Sequence, residues 1–393
     1  MTPGGASPAS RAPASAGRRL GLYLHWPFAR SVPTHPEFDA LVRPDIDESR
    51  YAAALTASLE RLSSPLGPVG LDSVLIGGGV PSMIGAQTLA GLLGTIEARF
   101  GADPSREVTL EADPEPDMVA RYAGYRATGV NRLTVRVRSL GDAGLRALGC
   151  GWTPGEVRDA VVEALRHFRS VAIDLTFGWA DQSVAAWLAE LDDAAALGVA
   201  HVTLHELAPA DRGVEASPAL ACDAVREAMY LDGAARLEAL GLPAYEIANF
   251  ARPGREGRHN DHVWRGGELL AVGPGAVSRL GLGSARSARE GIADLDAWLA
   301  AVESGDDGSA GSGRLDAITR RDELVEGALR RRAGLARADC RAVLGSDLEA
   351  VLPAEPLAEL VADGFLALDR KGLRATPRGW PVLDAVLHRL LLG

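Results

Sequence analysis

A few short stretches of this 393-residue chain carry side chains able to do chemistry. "GGGVPS" (77–82) ends an aliphatic run. Three consecutive glycines let a backbone approach a ligand and expose N–H groups to a carboxylate or amine, or they simply allow a tight turn. Glu111 and Asp113 in "LEADP", and Asp174 in "VAIDLTF", lie on further aliphatic runs. A carboxylate at a strand end binds an amine or ribose hydroxyls, or caps the next helix. "RHNDHVW" (258–264) sets His259 and His262 three residues apart beside Trp264. Such a pair ligates a metal only if the loop turns both rings inward, and it lacks a Cys or carboxylate in register. An imidazole next to an indole also suits a flat ligand such as a porphyrin, because haem iron takes an axial histidine. The alternative is a loop whose His and Asn satisfy backbone groups. His25, His35, His167, His201, His205 and His388 show no ligand spacing, and His167 and His388 sit on helical patterns that read as structural or solvent-facing.

Alternating elements must hold these residues. Strand candidates at 20–25, 73–78, 107–112, 132–137, 171–177 and 201–207 are separated by amphipathic stretches near 47–63, 86–100, 115–128, 154–168 and 183–197, with another at 223–240. Strands spaced by helices of this length signal parallel βαβ units. The expected fold is α/β, a partial (β/α)6 TIM-like barrel over 19–250, with a doubly wound open sheet as the alternative. In a barrel, residues at the carboxyl ends of strands form the site. The alternation breaks after "YEIANF" (245–250), so 251–303 reads as a connecting segment. "SGDDGSAGSG" at 304–313 has linker composition, and 304–314 is expected to be a flexible loop or linker. Residues 315–393 order helices, a hairpin-like "FLALDRKGLRATPRG" and a last helix as in a small winged-helix-like α+β domain.

The bulk composition excludes some classes. A formal net charge of −11 argues against a general binder of nucleic acid or anionic membrane surfaces. No apolar run is long enough to span a bilayer. The three cysteines, Cys150, Cys222 and Cys340, are far apart, which writes no disulfide framework or CxxC site and fits a reducing cytoplasm. Residues 1–17 are free of acids, as transit peptides are. Three prolines and the lack of bulky apolar residues favour a disordered tail over 1–18.

Taken in order, "LYLHWPF", "GGGVPS", "EADP", "GVNRLTVRVRS", "DLTFG", "YEIANFARPG", "RHNDHVW", "VGPGA" and "RATPRGWPVLDAVL" resemble one family. It is the radical S-adenosylmethionine proteins of the coproporphyrinogen oxidase-like group, especially HemW-type haem chaperones. The resemblance implies a [4Fe–4S] cluster on the loop after the first strand and S-adenosylmethionine across the strand ends. Tyr23, Gly78, Gly79, Glu111 and Asp174 match the family's S-adenosylmethionine contacts, and His259 falls in the segment associated with haem. The three cluster cysteines fall on Ala29, Pro33 and Pro36, which have no donor atom, and His35 alone cannot replace three thiolates. Val80, Arg136, Arg138, Cys150, Trp152, Ala180, Val263 and Val277 also depart from the family pattern, and a side chain as long as Arg136 at a glycine position should partly fill the cavity. The expectation is therefore a degenerate relative, not an enzyme, that binds haem, porphyrin or a haem-accepting protein without a cluster or radical chemistry. Its S-adenosylmethionine binding should be weak or absent. The alternatives are an active coproporphyrinogen-oxidase-type enzyme with unusual cluster ligands, and an interaction protein acting through its C-terminal domain. The basic cluster Arg330–Arg332 is diluted by neighbouring acids, so nucleic acid is not the expected partner.

Overall fold

The computed structural model describes residues 17–30, 41–43, 46–207 and 219–392. Its organising rule is alternation along each strand. In β1 (Arg19–Trp26), Leu20, Leu22, Leu24 and Trp26 are at most 1% exposed and pack into the main apolar cluster, with Tyr51, Leu55 and Leu59 of α1 (Glu48–Ser63). Tyr23 and His25 occupy the opposite face and hydrogen-bond to each other across 2.9 Å. A sheet buried under helices on its outer face needs apolar residues there, while the inner face of a wide barrel can be polar.

Five more parallel strands follow: β2 (Gly70–Gly78), β3 (Glu107–Ala112), β4 (Arg132–Arg138), β5 (Ser170–Phe177) and β6 (His201–Glu206). They pair in chain order, β1-β2-β3-β4-β5-β6. No reversal of order occurs among them, as a doubly wound sheet would require, so the partial barrel is the observed α/β architecture. The crossover helices include α1, α2 (Ala86–Phe100), α3 (Tyr122–Thr128), α4 (Pro154–His167) and α5 (Val184–Ala196). Their starts are written locally: Asp47 caps α1, Thr153 and Glu156 form a capping box on α4, and Ser183 caps α5. α6 (Asp223–Ala239) follows β6, and β7 (Asn249–Ala251) adds to β6 antiparallel.

The connecting segment departs from expectation. After α7 (Arg258–Trp264), β8 (Glu268–Val272) lies parallel to β1 on its free side. A five-residue run set off by Gly266, Gly267 and Gly273 is too short for periodicity to reveal it. β9 (Val277–Leu280), β10 (Ser287–Gly291) and β11 (Ser309–Arg314) continue the sheet as antiparallel strands. The expected linker at 304–314 is thus a turn and an edge strand. Its glycines and serines are poor strand formers, but β10 supplies a full ladder and Arg289 ties Asp307 at 2.6 Å.

The C-terminal unit has its own apolar cluster, including Leu324, Val325, Leu329, Leu360 and Leu373. It combines α8 (Ala317–Arg330), three shorter helices between 337 and 362, a three-stranded sheet with strands Leu366–Leu368 and Gly372–Ala375, and α9 (Leu383–Leu392). It joins the barrel through main-chain bonds: Ile247 N–H donates to the Arg330 carbonyl (2.9 Å) and Arg332 N–H to the Tyr245 carbonyl (2.9 Å). Most of the expected tail lies outside the described residues, but Arg18 is paired with Glu268 at 2.5 Å. Among the described residues no helix is long and apolar enough to cross a membrane.

Leu22→Ala, at a 0% exposed position on β1, should destabilise the chain by about 2–5 kcal/mol. Urea unfolding followed by tryptophan fluorescence measures this, and an unchanged midpoint would contradict the outer-face packing.

Candidate functional site

The carboxyl ends of β1 to β5 bring Tyr23, Gly78, Glu111, Asp113, Arg136 and Asp174 together around the barrel mouth. The triple glycine is needed by the chain itself. Gly78 has φ +111, and a Cβ there would lie 2.7 Å from the His25 ring. A Cβ on Gly79 would lie 2.4 Å from the Phe28 carbonyl oxygen. Backbone approaches backbone here, which explains the glycines without a ligand.

Arg136 is the dominant neighbour. Its side chain is buried, its Nε donates to Asp113 at 2.7 Å, and its Nη1 donates to the Gly78 carbonyl at 3.2 Å. Burial alone would lower the guanidinium's pKa, but Asp113 and Glu111 raise it beyond its ordinary value, so Arg136 stays charged. Arg138 sits beside it with φ +66, a region costly for a side chain of this size. Glu111 is held by burial at a pKa of about 7, with Arg136 pulling it down and Asp174 pushing it up. Its Oε2 has no hydrogen-bond partner among the described residues. Burial would raise Asp174, but hydrogen bonding and charge from His205 leave it below its ordinary value. Tyr23 is raised by burial and by Glu111.

Below the mouth, alternate residues of the strands line an inner cavity of about 780 Å³, among them Thr109, Glu111, Thr134, Asp174 and Thr203. The C-terminal unit closes its far side with Arg330, Trp380 and Leu383. His259 also lines it, but it is only 7% exposed and its Nδ1 lies 2.9 Å from Ser73 Oγ. Burial, with His262 nearby, pushes its pKa down to about 4. His262 does not share the cavity: its ring contacts Asp72 (3.1 Å) and the Glu268 carbonyl (2.9 Å). Sequence reading missed a polar group on the cavity wall. His201 Nε2 meets the Tyr245 hydroxyl at 2.8 Å, and Glu246, fully buried, accepts from Ala248 N–H at 3.0 Å and from Asn249. The alternating polar residues of "HVTLHEL" were the available signal.

The cluster positions give a plain result. Ala29 is 1% exposed and packs with Val80 and Met118, while Pro33 and Pro36 lie outside the described residues. Cys150 is part-buried near Trp179, Cys222 is exposed at the start of α6, and Cys340 is buried in the C-terminal core. Burial pushes the Cys150 thiol up to about 11. No group of three or more His, Cys, Asp or Glu is placed to hold a metal ion among the described residues.

The partial barrel with its appended C-terminal unit defines a radical S-adenosylmethionine-type architecture. The fold matches that of coproporphyrinogen III oxidase (HemN) from Escherichia coli with a TM-score of 0.81, at 19% identity, over 96% of this chain and 91% of that one. Residues 315–382 match the family described as the HemN C-terminal domain. The chain is 30% identical over 403 residues to the mitochondrial radical S-adenosyl methionine domain-containing protein 1 of Bos taurus, covering 97% of this chain and 89% of the relative. It is 31% identical over 387 residues to the heme chaperone HemW of Mycobacterium tuberculosis, covering 95% of each. The chain belongs to the HemW/HemN-type family of radical S-adenosylmethionine proteins.

Arg136→Met should cost about 3–5 kcal/mol, because Asp113 would remain buried without its countercharge. Adding Asp113→Asn should recover part of the loss in denaturant unfolding, and full additivity would dismiss the pair. The raised Glu111 pKa means that the folded state holds a proton the unfolded state releases. Stability from this group is complete below its ordinary value of 4.5 and is lost as pH rises through about 7. Glu111→Gln should flatten that part of the stability profile, measured by unfolding across the window.

Proposed function

We propose that this chain is a haem-handling relative of the HemW chaperones, binding haem or porphyrin for a haem-accepting protein without radical chemistry. A [4Fe–4S] cluster requires thiolate ligands. The carrying observation is that the chain has only three cysteines and they sit in three separate parts of the fold. Ala29 is packed in an apolar contact, so the first cluster position offers carbon where sulfur is needed. The residues present do not fit a cluster.

S-adenosylmethionine carries a sulfonium and an ammonium group. In this chain Arg136 already supplies positive charge to Asp113 and Glu111, and it donates to the Gly78 carbonyl as well. A second cation competes with that arrangement, so Tyr23, Gly78, Gly79, Glu111 and Asp174 serve here to hold the barrel mouth together. The haem part of the reading is supported by family membership and by two openings whose volumes, about 780 and 680 Å³, fall within the range of ligand sites. Unpaired cysteines suit the reducing cytoplasm in which we place this activity.

Iron and sulfide analysis after anaerobic reconstitution tests the proposal, with a haem titration of the same preparation. The expected result is no stoichiometric iron and sulfide, no stable brown band at about 400 nm before haem is added, and saturable haem binding. A stable cluster that converts S-adenosylmethionine to 5′-deoxyadenosine would overturn it.

A further inference from the structure

A histidine that is to ligate haem iron must turn its imidazole toward open space. His259 does not offer one, being buried with Nδ1 engaged by Ser73. His262 has both ring nitrogens in contact with other groups, and His167 is paired with Glu163 at 2.8 Å. His201 is 3% exposed, and His205 lies beside Asp174. His388 differs. It is exposed on α9 and makes no hydrogen bond or ion pair with the described residues. It lines a second cavity of about 680 Å³, an open groove between α8, α9 and the segment around Trp264 and Val277.

The groove has the chemistry of a flat apolar ring with a metal centre and an anionic edge. Leu387, Leu391 and Leu392 share the His388 side of α9 at helical spacing, and Leu392 is 71% exposed. Val277 opposite is 39% exposed, so the groove leaves apolar surface in water that a ligand would cover. Arg320 and Arg330 line it and form no salt bridge among the described residues, and Arg330 lies 5.9 Å over the Trp264 ring. Four carboxylates also line the groove, Asp322 and Glu323, which are paired with Arg321 (2.6 Å) and Arg279 (2.8 Å), and Glu326 and Asp384, and they face four arginines, Arg279, Arg286, Arg320 and Arg330. The inner cavity is less suited to an anion, since Glu107, Glu111, Asp174, Glu206, Glu246 and Asp384 outnumber Arg132 and Arg330 there.

We propose that this groove is the haem-docking site. His388 is the axial ligand to iron, the apolar side of α9 and Trp264 contact the ring, and Arg320 and Arg330 meet the propionates. The inference rests on the haem-binding reading above.

The test is titration of the full chain with ferric haem, followed by Soret absorption and electron paramagnetic resonance. His388→Ala should weaken binding by about tenfold or more and change the iron's ligand signature, and added imidazole should restore the original spectrum. Arg320→Ala with Arg330→Ala should weaken binding while leaving the ligand signature unchanged. His388 is exposed, so its replacement should leave thermal unfolding unaltered. Haem binding by the unaltered chain with the same affinity and spectrum in His388→Ala would overturn this site while sparing the haem reading. Loss of both in His259→Ala, in a variant that still folds, would also overturn it. Failure of the unaltered chain to bind haem at all would remove the reading beneath it.

Discussion

A guanidinium sealed inside a barrel cannot be left without a countercharge, and the Arg136–Asp113 pair answers that constraint. The pair sits where the carboxyl ends of the strands converge, the place in this architecture where ligands are met. Arg136 also reaches the Gly78 carbonyl and lowers the pKa of Glu111 against burial. The charge balance of the barrel mouth is therefore met from within the chain. Asp113, Gly78 and Glu111 all feel that one guanidinium, while Glu111 Oε2 keeps no hydrogen-bond partner among the described residues.

Much of the barrel was readable because burial imposes a repeat. Leu20, Leu22, Leu24 and Trp26 alternate with Tyr23 and His25, and comparable runs recur with helices between them, so the strand order followed from the pattern. β8 and β11 were not readable for opposite reasons. β8 is short and framed by glycines, and β11 is made of Ser, Ala, Gly and Arg, exposed at every position after Ser309. For both, the ladder to a neighbouring strand decides the conformation, and a ladder leaves little trace in a single stretch of sequence.

The site was legible only in part. That Arg136 would fill space at the mouth followed from its length, but its choice of Asp113 depends on how β3 and β4 are brought side by side. Likewise "RHNDHVW" announced two histidines on one segment without showing that they face different surroundings. His259 turns into the barrel wall toward Ser73, whereas His262 turns to Asp72 and Glu268. The buried Glu246 and His201 were hidden because each needs a partner more than forty residues away or a wall supplied by the C-terminal unit.

The main-chain bonds between 245–247 and 330–332 set a mechanical condition on the molecule. Swinging the C-terminal unit outward would strip those amides and carbonyls of their partners, and water would have to reach a fully buried Glu246. The two units are welded more like a riveted seam than a hinge. The wall that the C-terminal unit gives the inner cavity is thus held by backbone pairing, which a change of side chain does not remove.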